Sequence, residues 1–274
     1  MGMYFVKDWF CKPSQKTYQG IWVPKTWNGL TSFEGTYVWT DGDNIYYSYD
    51  KQNYILDKST STWSTKTWNG KKPFYGFDGN NFWTDGDNIY YSGGDSNTQY
   101  VLDKSTSTWS TKTWSGETAF YGSDIWKGDS NIYCSNNSYT YVLTGSTWNT
   151  KSWTKGSSSV DVRFYGSSVW KSDNNIYASN VLIDEANSTI YSKTWTKDGK
   201  SVSFSGSRVW TDGNDIYFSD GRYYQYVLVD EEKGVWENKT WSGLPSDFNL
   251  YGDRIWKDGD HIYYSSSTGN YELT

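Results

Sequence analysis

The 274-residue chain carries a net charge of −6, which argues against a nucleic-acid-binding module because such modules present a basic patch. Its two cysteines, Cys11 and Cys134, lie too far apart in the sequence to suggest a disulfide framework or a metal site. Aromatic residues make up 20% of the chain and can supply a core, while neither a membrane-spanning apolar run nor a signal peptide is predicted.

The first residues stand outside the repeats that fill the rest of the chain. We expect residues 1–18 to form an N-terminal extension, with residues 4–6 as an extra edge strand or a plug. Residues 19–274 are expected to form a single domain. Residues 21–27 are predicted to be a strand that ends in Lys-Thr-Trp, although no other strand of a repeat precedes it.

One ten-residue pattern returns six times, with a tryptophan, a polar turn and an Ile-Tyr pair in constant order. Residues 39–48 and 83–92 are identical, and looser copies begin at Trp126, Trp170, Trp210 and Trp256. The separations are 44, 43, 44, 40 and 46 residues. A period of 40 to 50 residues that is rich in strand formers is typical of a β-propeller, in which each repeat forms one blade.

The second repeat shows the four strands of a blade, here named a to d in chain order. Residues 74–83 are predicted to form strand a, and the Asp-Gly of the next turn favours a tight hairpin. Strand b covers residues 88–92, strand c residues 99–102 and strand d residues 109–114. Short antiparallel strands joined in this order are typical of a propeller blade.

The number of strands predicts how the ring closes. The chain contains six a, six b and six c strands, but it ends after the last c strand at residues 270–274. The d-type strand at residues 21–27 can complete that blade, and this pairing removes two exposed sheet edges. We therefore predict an all-β fold, a six-bladed β-propeller of four-stranded antiparallel blades, closed by the N-terminal strand completing the C-terminal blade.

Two further motifs recur once per blade. Of the 18 tryptophans, 17 occupy repeated positions, which favours packing between blades over ligand binding. An apolar residue followed two positions later by glycine marks the start of each a strand, where small residues are needed near a crowded axis. These pairs are Phe33 and Gly35, Phe74 and Gly76, Phe120 and Gly122, Phe164 and Gly166, Phe204 and Gly206, and Leu250 and Gly252.

The second repeat resembles the kelch repeat. Residues 88–94 carry the double glycine after strand b, and residues 100–103 and 107–109 place an aromatic residue before the c–d turn and a tryptophan after it. The resemblance spans roughly residues 20–274, but only Gly93-Gly94 preserves the double glycine, so we describe the chain as kelch-like. The family implies a β-propeller used mostly for protein contacts and occasionally as an oxidase or lectin scaffold.

The sequence does not favour an enzyme. His261 is the one histidine, and the copper site of kelch-type oxidases needs several histidines and tyrosines. Propeller sialidases use an arginine cluster, for which Arg163, Arg208, Arg222 and Arg254 are the available residues. A glycoside-cleaving propeller would need a close carboxylate pair, which a sequence cannot demonstrate. We expect no catalytic residues, no cofactor and no metal site.

Aspartates recur in the turns between strands a and b. Alternating carboxylates around a glycine can bind Ca²⁺, but Asp-Gly is also the expected pair for the turn itself, and the twelve-residue calcium loop is absent. Because strands a lie innermost, we predict that these turns form an acidic mouth that attracts cations or a basic partner surface. Its members are Asp41, Asp43, Asp85, Asp87, Asp129, Asp173, Asp212, Asp215, Asp258 and Asp260.

The b–c and d–a connections vary between repeats, whereas the a–b and c–d turns are nearly uniform. Variable loops on a repeating scaffold commonly carry the binding residues. The candidates are Tyr49, Lys71, Lys72, Tyr139, Arg163, Arg222, Tyr223 and Tyr224. The sequence therefore predicts a non-enzymatic interaction or structural module that binds a protein partner or a larger assembly. The alternative is a carbohydrate-binding lectin or adhesin, which includes a virion or cell-surface component.

Overall fold

The computed structural model describes residues 17–71, 73, 76–93, 98–136, 139–172 and 175–274. Within these residues the chain is all-β, and six small sheets form the blades of a propeller, as predicted. The extra strand or plug expected at residues 4–6 lies outside the described residues. In the described part of the chain, no helix has the length and apolar character needed to cross a membrane.

The strands follow one another in chain order around the ring. The N-terminal strand is β1 (Trp22–Pro24), and blade 1 contains β2 (Val38–Thr40), β3 (Ile45–Tyr49), β4 (Gln52–Asp57) and β5 (Thr62–Thr65). Blade 2 contains β6 (Asn69–Gly70), β7 (Phe82–Thr84), β8 (Ile89–Ser92), β9 (Gln99–Asp103) and β10 (Thr108–Lys112). Blade 3 contains β11 (Ser115–Gly116), β12 (Ile125–Lys127), β13 (Ile132–Ser135), β14 (Thr140–Thr144) and β15 (Thr147–Lys151).

The second half of the ring has the two largest sheets. Blade 4 contains β16 (Trp153–Lys155), β17 (Ser158–Val160), β18 (Val169–Lys171), β19 (Ile176–Ala178), β20 (Val181–Asp184) and β21 (Thr189–Ser192). Blade 5 contains β22 (Trp195–Lys197), β23 (Lys200–Val202), β24 (Val209–Thr211), β25 (Ile216–Ser219), β26 (Gln225–Asp230) and β27 (Val235–Asn238). Blade 6 contains β28 (Ile255–Asp258), β29 (His261–Ser266) and β30 (Gly269–Leu273), and β1 completes it.

The ring closes where the two ends of the propeller meet. β1 pairs antiparallel with β30, and this register places Trp22 opposite Leu273 and Pro24 opposite Tyr271. The N-terminal strand is therefore the outermost strand of the C-terminal blade, as predicted. β1 pairs with the otherwise free edge of β30. Blade 6 therefore has four antiparallel strands in the same a-to-d order as the other blades.

The prediction of four strands per blade was incomplete, because the sheets contain four to six strands. After each strand d the chain crosses to the next blade and pairs in parallel with that blade's outermost strand. This bridge occurs at all six junctions, including the one at the chain ends. The pairs are Asn28 with Thr62, Asn69 with Thr108, Ser115 with Thr147, Thr154 with Thr189, Thr196 with Val235, and Ile21 with Ser242.

A glycine permits this close crossing at four junctions. At Gly116, for example, φ is +79° and a Cβ atom would lie 2.0 Å from the carbonyl oxygen of Trp148. A side chain would therefore separate the two backbones. Where Thr-Lys follows the tryptophan instead, in the crossings to blades 4 and 5, the chain forms the additional hairpins β16–β17 and β22–β23.

Each strand a is short and follows a 3-10 turn that faces the axis. The six turns are Gly35–Tyr37, Gly79–Asn81, Gly122–Asp124, Gly166–Ser168, Gly206–Arg208 and Gly252–Arg254. Each turn contacts the next, and the last contacts the first. The prediction of Gly76 as the axial glycine of blade 2 was wrong. Gly79 takes that place, since its Cβ would lie 2.0 Å from the carbonyl oxygen of Tyr37 in the preceding blade.

Tryptophan and tyrosine rings form the core of each blade and join it to the next. In blade 1, Trp39 stacks on Tyr46 at 4.4 Å between ring centroids, and Trp68 packs against both rings. Trp109 of blade 2 then lies 5.8 Å from Trp68. Blade 6 repeats the triad with Trp27 from the N-terminal segment. The recurring tryptophans therefore serve inter-blade packing, as the sequence indicated.

The recurring Lys-x-Trp motif places an ammonium group over the indole ring. The Nζ atom of Lys66 lies 4.7 Å from the Trp68 centroid, and Lys112 lies 4.4 Å from Trp114. Alternate side chains of a strand point to the same face, so the spacing of two residues brings the pair together. The same pair is present in all six blades.

Candidate functional site

The turns and loops separate into two faces. On one, called the turn face, the a–b turn of each blade meets the c–d turn of the next, as when Lys104 donates to the carbonyl oxygen of Asp41. On the other, called the loop face, the b–c connections meet the d–a connections. The amide of Asp50 donates to Asp78 at 3.3 Å, for example. The two faces therefore carry the residue sets that the sequence assigned to them.

On the turn face, the first aspartate of the a–b turn is part of the turn itself. Asp41 accepts hydrogen bonds from the amides of Asp43 and Asn44 and from the hydroxyl of Tyr46, the last at 2.9 Å. Asp85 and Asp212 accept the same three kinds of bond in blades 2 and 5. These carboxylates act as caps of the turn, which leaves them few free lone pairs for a cation.

Blades 3 and 4 lack this aspartate, and the following blade supplies the carboxylate instead. Glu185, from the c–d turn of blade 4, accepts hydrogen bonds from the amides of Asp129 and Ser130 and from the hydroxyl of Tyr133 at 3.0 Å. Gly128 makes room for it, because a Cβ there would lie 2.2 Å from the Glu185 carboxylate.

Glu231 of blade 5 plays the same part for blade 4. Its carboxylate accepts hydrogen bonds from Ser172, from the side-chain amide of Asn175 and from the hydroxyl of Tyr177 at 2.8 Å. Burial raises the pKa of Tyr177, and the hydrogen bond to Glu231 raises it further. The phenol is therefore held in its neutral, donating form.

The sequence analysis missed these glutamates, although a signal for them exists. In blades 1 and 2 the residue after strand c is lysine, and the preceding blade has its own aspartate: Lys104 faces Asp41, and Lys58 bonds Asp258 at 2.6 Å. It is glutamate where the preceding blade has Gly128 or Ser172 in that position. Each glutamate thus replaces a carboxylate that is missing from the preceding blade, 57 positions earlier for Glu185 and 59 for Glu231.

We expect the Glu185→Ala variant to lose about 2 kcal/mol of unfolding free energy, because the Tyr133 hydroxyl and two turn amides lose their acceptor. Urea denaturation followed by circular dichroism measures this loss. The double variant Gly128→Asp with Glu185→Lys recreates the arrangement of blade 1 and should recover most of it. The control is Glu232→Ala, which changes an exposed glutamate beside Glu231 in blade 5. Equal losses of unfolding free energy in Glu185→Ala and Glu232→Ala would contradict the capping role of Glu185.

The acidic mouth retains one exposed carboxylate in each of five blades. Asp43, Asp87, Asp129, Asp215 and Asp260 are exposed, whereas Asp173 lies outside the described residues. Lys171 bonds Asp129 at 2.6 Å. Partial burial lowers the pKa of Lys257 to about 8 despite the nearby Asp212 and Asp260. In the described part of the chain, no group of three or more histidine, cysteine or acidic residues could hold a metal ion.

The loop face carries most of the large exposed side chains with apolar character. Of the nine such side chains in the described residues, six are tyrosines in b–c or d–a connections. They are Tyr49, Tyr121, Tyr139, Tyr165, Tyr223 and Tyr224. The other three, Val23, Tyr191 and Val229, lie on the outer strands c and d. The exposed aromatic surface is therefore concentrated on one face.

All four arginines of the chain also lie on the loop face, and each covers a tyrosine ring. The guanidinium carbon of Arg163 lies 3.6 Å from the Tyr165 centroid, and that of Arg222 lies 5.2 Å from Tyr223. Arg208 and Arg254 share one ring, that of Tyr251, and their guanidinium carbons lie 4.5 and 5.0 Å from its centroid.

Carboxylates fix the arginines nearest the axis. Arg254 bonds Glu34 at 2.8 Å, and Arg208 bonds Asp253 and also approaches Asp220 at 3.5 Å. Burial raises the pKa of Asp78 and of Asp124, which occupy blades 2 and 3 of the same ring. Arginine, tyrosine and carboxylate groups therefore line the loop-face end of the axis.

The structure distributes the predicted binding residues around the loop face without joining them into one cluster. Tyr49 packs on Tyr37 at 4.4 Å, and Tyr139 packs on Tyr141 at 6.4 Å. Lys71 is exposed in the connection to blade 2, and Lys72 lies outside the described residues. The axial residues Tyr121, Tyr165, Tyr251, Arg208 and Arg254 were not among the predicted binding residues, although each lies within two positions of an axial glycine.

Two clefts open beside the loops of blades 1 and 5. The cleft in blade 5 has a volume of about 500 Å³ and includes Arg222 and Tyr223 in its lining. The cleft in blade 1 has a volume of about 490 Å³ and includes Lys51 and Trp68. A proline from the following d–a connection, Pro73 or Pro245, lines each one. The two clefts therefore occupy equivalent places in their blades.

No protein-family model matches this chain, and no curated protein matches it either. Among solved structures, it is similar to the extracellular domain of a proposed one-component system from B. thetaiotaomicron, with 12% identity and a TM-score of 0.52. That match covers 99% of this chain and 39% of the other.

Two extracellular domains of proposed hybrid two-component systems from B. thetaiotaomicron match at 12% identity, with TM-scores of 0.48 and 0.45. These matches cover 97% and 96% of this chain but 37% and 36% of the others. The chain thus spans well under half the length of the structures it matches. What it shares with the first of them is the propeller fold.

Proposed function

We propose that this propeller is a non-enzymatic, kelch-like binding module that holds a protein partner on its loop face. One observation carries the proposal: all four arginines lie on that face, each over a tyrosine ring. Tyrosine and arginine are enriched in the hot spots of protein interfaces, where rigid aromatic surface and a planar donor combine. On the turn face, in contrast, the first aspartates of the turns and the glutamates that replace them are engaged in the turns themselves.

The absence of catalysis is part of the same proposal. His261 is the exposed first residue of β29 in blade 6, and its Nδ1 atom is 2.6 Å from Glu272. This pair is on the turn face, away from both clefts and from the arginines. An enzyme would require convergent acid and base groups at a pocket. Neither cleft has an acidic residue or a histidine in its lining.

The experiment is capture of the partner from the native source with the full chain, followed by purification of that partner and measurement of its affinity. We expect the double variant Arg163→Ala with Tyr165→Ala to weaken binding about 30-fold, as removal of a hot spot does. The control is Tyr191→Ala with Lys155→Ala, which removes an equally exposed tyrosine and a cation from the outer strands.

Equal affinity of the loop-face and control variants would place the binding surface elsewhere and contradict the proposal. A glycan-binding lectin or adhesin is the second candidate, because exposed tyrosine rings such as Tyr223 can stack on sugar rings. Binding of the full chain to a glycan array, lost in the loop-face variant and without any captured protein, would replace the protein-binding proposal with this one.

A further inference from the structure

The cleft of blade 5 combines two cations with an apolar wall. Arg222 comes from the b–c connection and Lys239 from the end of strand d. Trp241, Leu244 and Phe248 supply apolar surface, the last two from the d–a connection. None of the lining residues is acidic, and all belong to the described part of the chain. The cleft is therefore positively charged, although the protein as a whole has a net charge of −6.

Arg222 and Lys239 are available to a ligand. The ammonium of Lys239 lies over Trp241 at 4.7 Å, and the Arg222 guanidinium lies beside Tyr223. Neither group forms an ion pair with a described carboxylate, because the nearby Asp220 is engaged by Arg208. A cation held over an aromatic ring retains donors that can bind an anion.

The same arrangement recurs in blade 1. Lys51 takes the place of Arg222, Lys66 that of Lys239, and Trp68 that of Trp241, and again no lining residue is acidic. These are the two blades whose b–c connection contains a cation, since residues 93–98, 136–139, 179–180 and 267–268 contain none. The second cation of each cleft, Arg222 or Lys51, is thus a feature of these two blades and is not part of the repeat.

We propose that the blade 5 cleft binds the carboxylate side chain of an acidic peptide segment, with Arg222 and Lys239 at the carboxylate and the wall of Trp241 and Phe248 against an adjacent apolar side chain. This proposal rests on the protein-binding function above and names the chemistry of the partner. A peptide is favoured over an acidic sugar, because Leu244, Pro245 and Leu250 extend the apolar wall of Trp241 and Phe248, which an apolar side chain next to the carboxylate can cover.

The test uses nuclear magnetic resonance of the full-length ¹⁵N-labelled protein, which detects weak binding. The probe is the peptide acetyl-Gly-Asp-Phe-Asp-Gly-amide, and the matched control replaces both aspartates with asparagine. We expect saturable shifts of the amide signals of residues 222–225 and of the Trp241 indole with the acidic probe. The asparagine peptide should bind about tenfold more weakly, as the loss of a charged hydrogen-bond partner implies.

The variants identify the cations responsible. Arg222→Gln should weaken the acidic probe about tenfold at this cleft, whereas Lys155→Gln, which removes an exposed lysine in blade 4, should leave it unchanged. Absence of shifts, equal binding of the two peptides, or equal effects of the two variants would overturn the proposal. So would binding of an oligomer of glucuronic acid at this cleft in place of the peptide.

The two proposals fail in different ways. If the purified partner loses affinity with Arg163→Ala and Tyr165→Ala but not with Arg222→Gln, the loop face is the binding surface and the proposal for this cleft is wrong. If the acidic probe binds the cleft but both loop-face variants retain full affinity for the partner, the proposed function is wrong and the cleft is a binding site of its own.

Discussion

Replacing Trp22 with alanine is expected to lower the unfolding free energy by about 3–5 kcal/mol, the usual loss for a fully buried tryptophan. Trp22 is 0% exposed and lies in the strand that closes the ring. Its ring packs against Trp210 and Trp241 of the preceding blade and against Tyr264 of its own. Removing it leaves a cavity in blade 6, the one blade whose four strands are not all joined by continuous chain.

The neighbouring residue provides the control for this variant. Val23 is in the same strand, but its side chain is 37% exposed and points to the other face of the sheet. Val23→Ala should therefore cost less than about 1 kcal/mol. Urea denaturation followed by far-ultraviolet circular dichroism compares the two variants. Similar losses of unfolding free energy in Trp22→Ala and Val23→Ala would show that the N-terminal strand contributes little to closure of the ring. If Trp22→Ala does not fold, Trp22→Phe takes its place and should show an intermediate loss.

Gly122→Ala is expected to destabilise the propeller by about 3 kcal/mol, at the upper end of the usual cost of overpacking. Gly122 begins the 3-10 turn of blade 3 at the axis, where a Cβ atom would lie 1.9 Å from the carbonyl oxygen of Asn81 in blade 2. That neighbour is backbone and cannot rotate away. The two blades must therefore separate to admit a single methyl group.

Gly145→Ala is the matched control for the axial glycine. Gly145 has a φ of +60° in an exposed turn, and no atom lies within 4 Å of the place its Cβ would take. Alanine there should cost only the backbone strain of the left-handed region, about 1 kcal/mol. Thermal and urea denaturation measure the stability of both variants. If Gly122→Ala loses less unfolding free energy than Gly145→Ala, the close packing of blades at the axis is not a source of stability.

The position of the axial glycine in blade 2 illustrates a limit of pattern matching. The run Phe74-Tyr75-Gly76 matches the motif of the other blades in sequence, but Phe77-Asp78-Gly79 performs its role. Gly76 packs instead against the backbone of Asp50 in the b–c connection of blade 1. Both runs place a phenylalanine two positions before a glycine, and both glycines are packed too closely to carry a side chain. The sequence alone therefore offers two equally good alignments. The distance to the preceding blade decides between them.

The candidate site was foreseen only in part, for a similar reason. The loop face and residues such as Arg222 and Tyr223 follow from variation between repeats, and the blade 5 cleft includes both. The contact of Arg208 with Tyr251 does not follow, because it joins residues of adjacent blades more than 40 positions apart. No local pattern in the chain marks such a pair.

The number of blades, their order and the partner of the N-terminal strand were determined by the sequence alone. These features depend on a repeat that is visible within about 44 residues and on counting strands at the two ends. The outer parallel crossings, the glutamate caps of Glu185 and Glu231 and the paired-cation clefts were decided by the tertiary structure. They arise where consecutive blades meet, and there the distance between side chains depends on the rotation from one blade to the next, which no single repeat encodes.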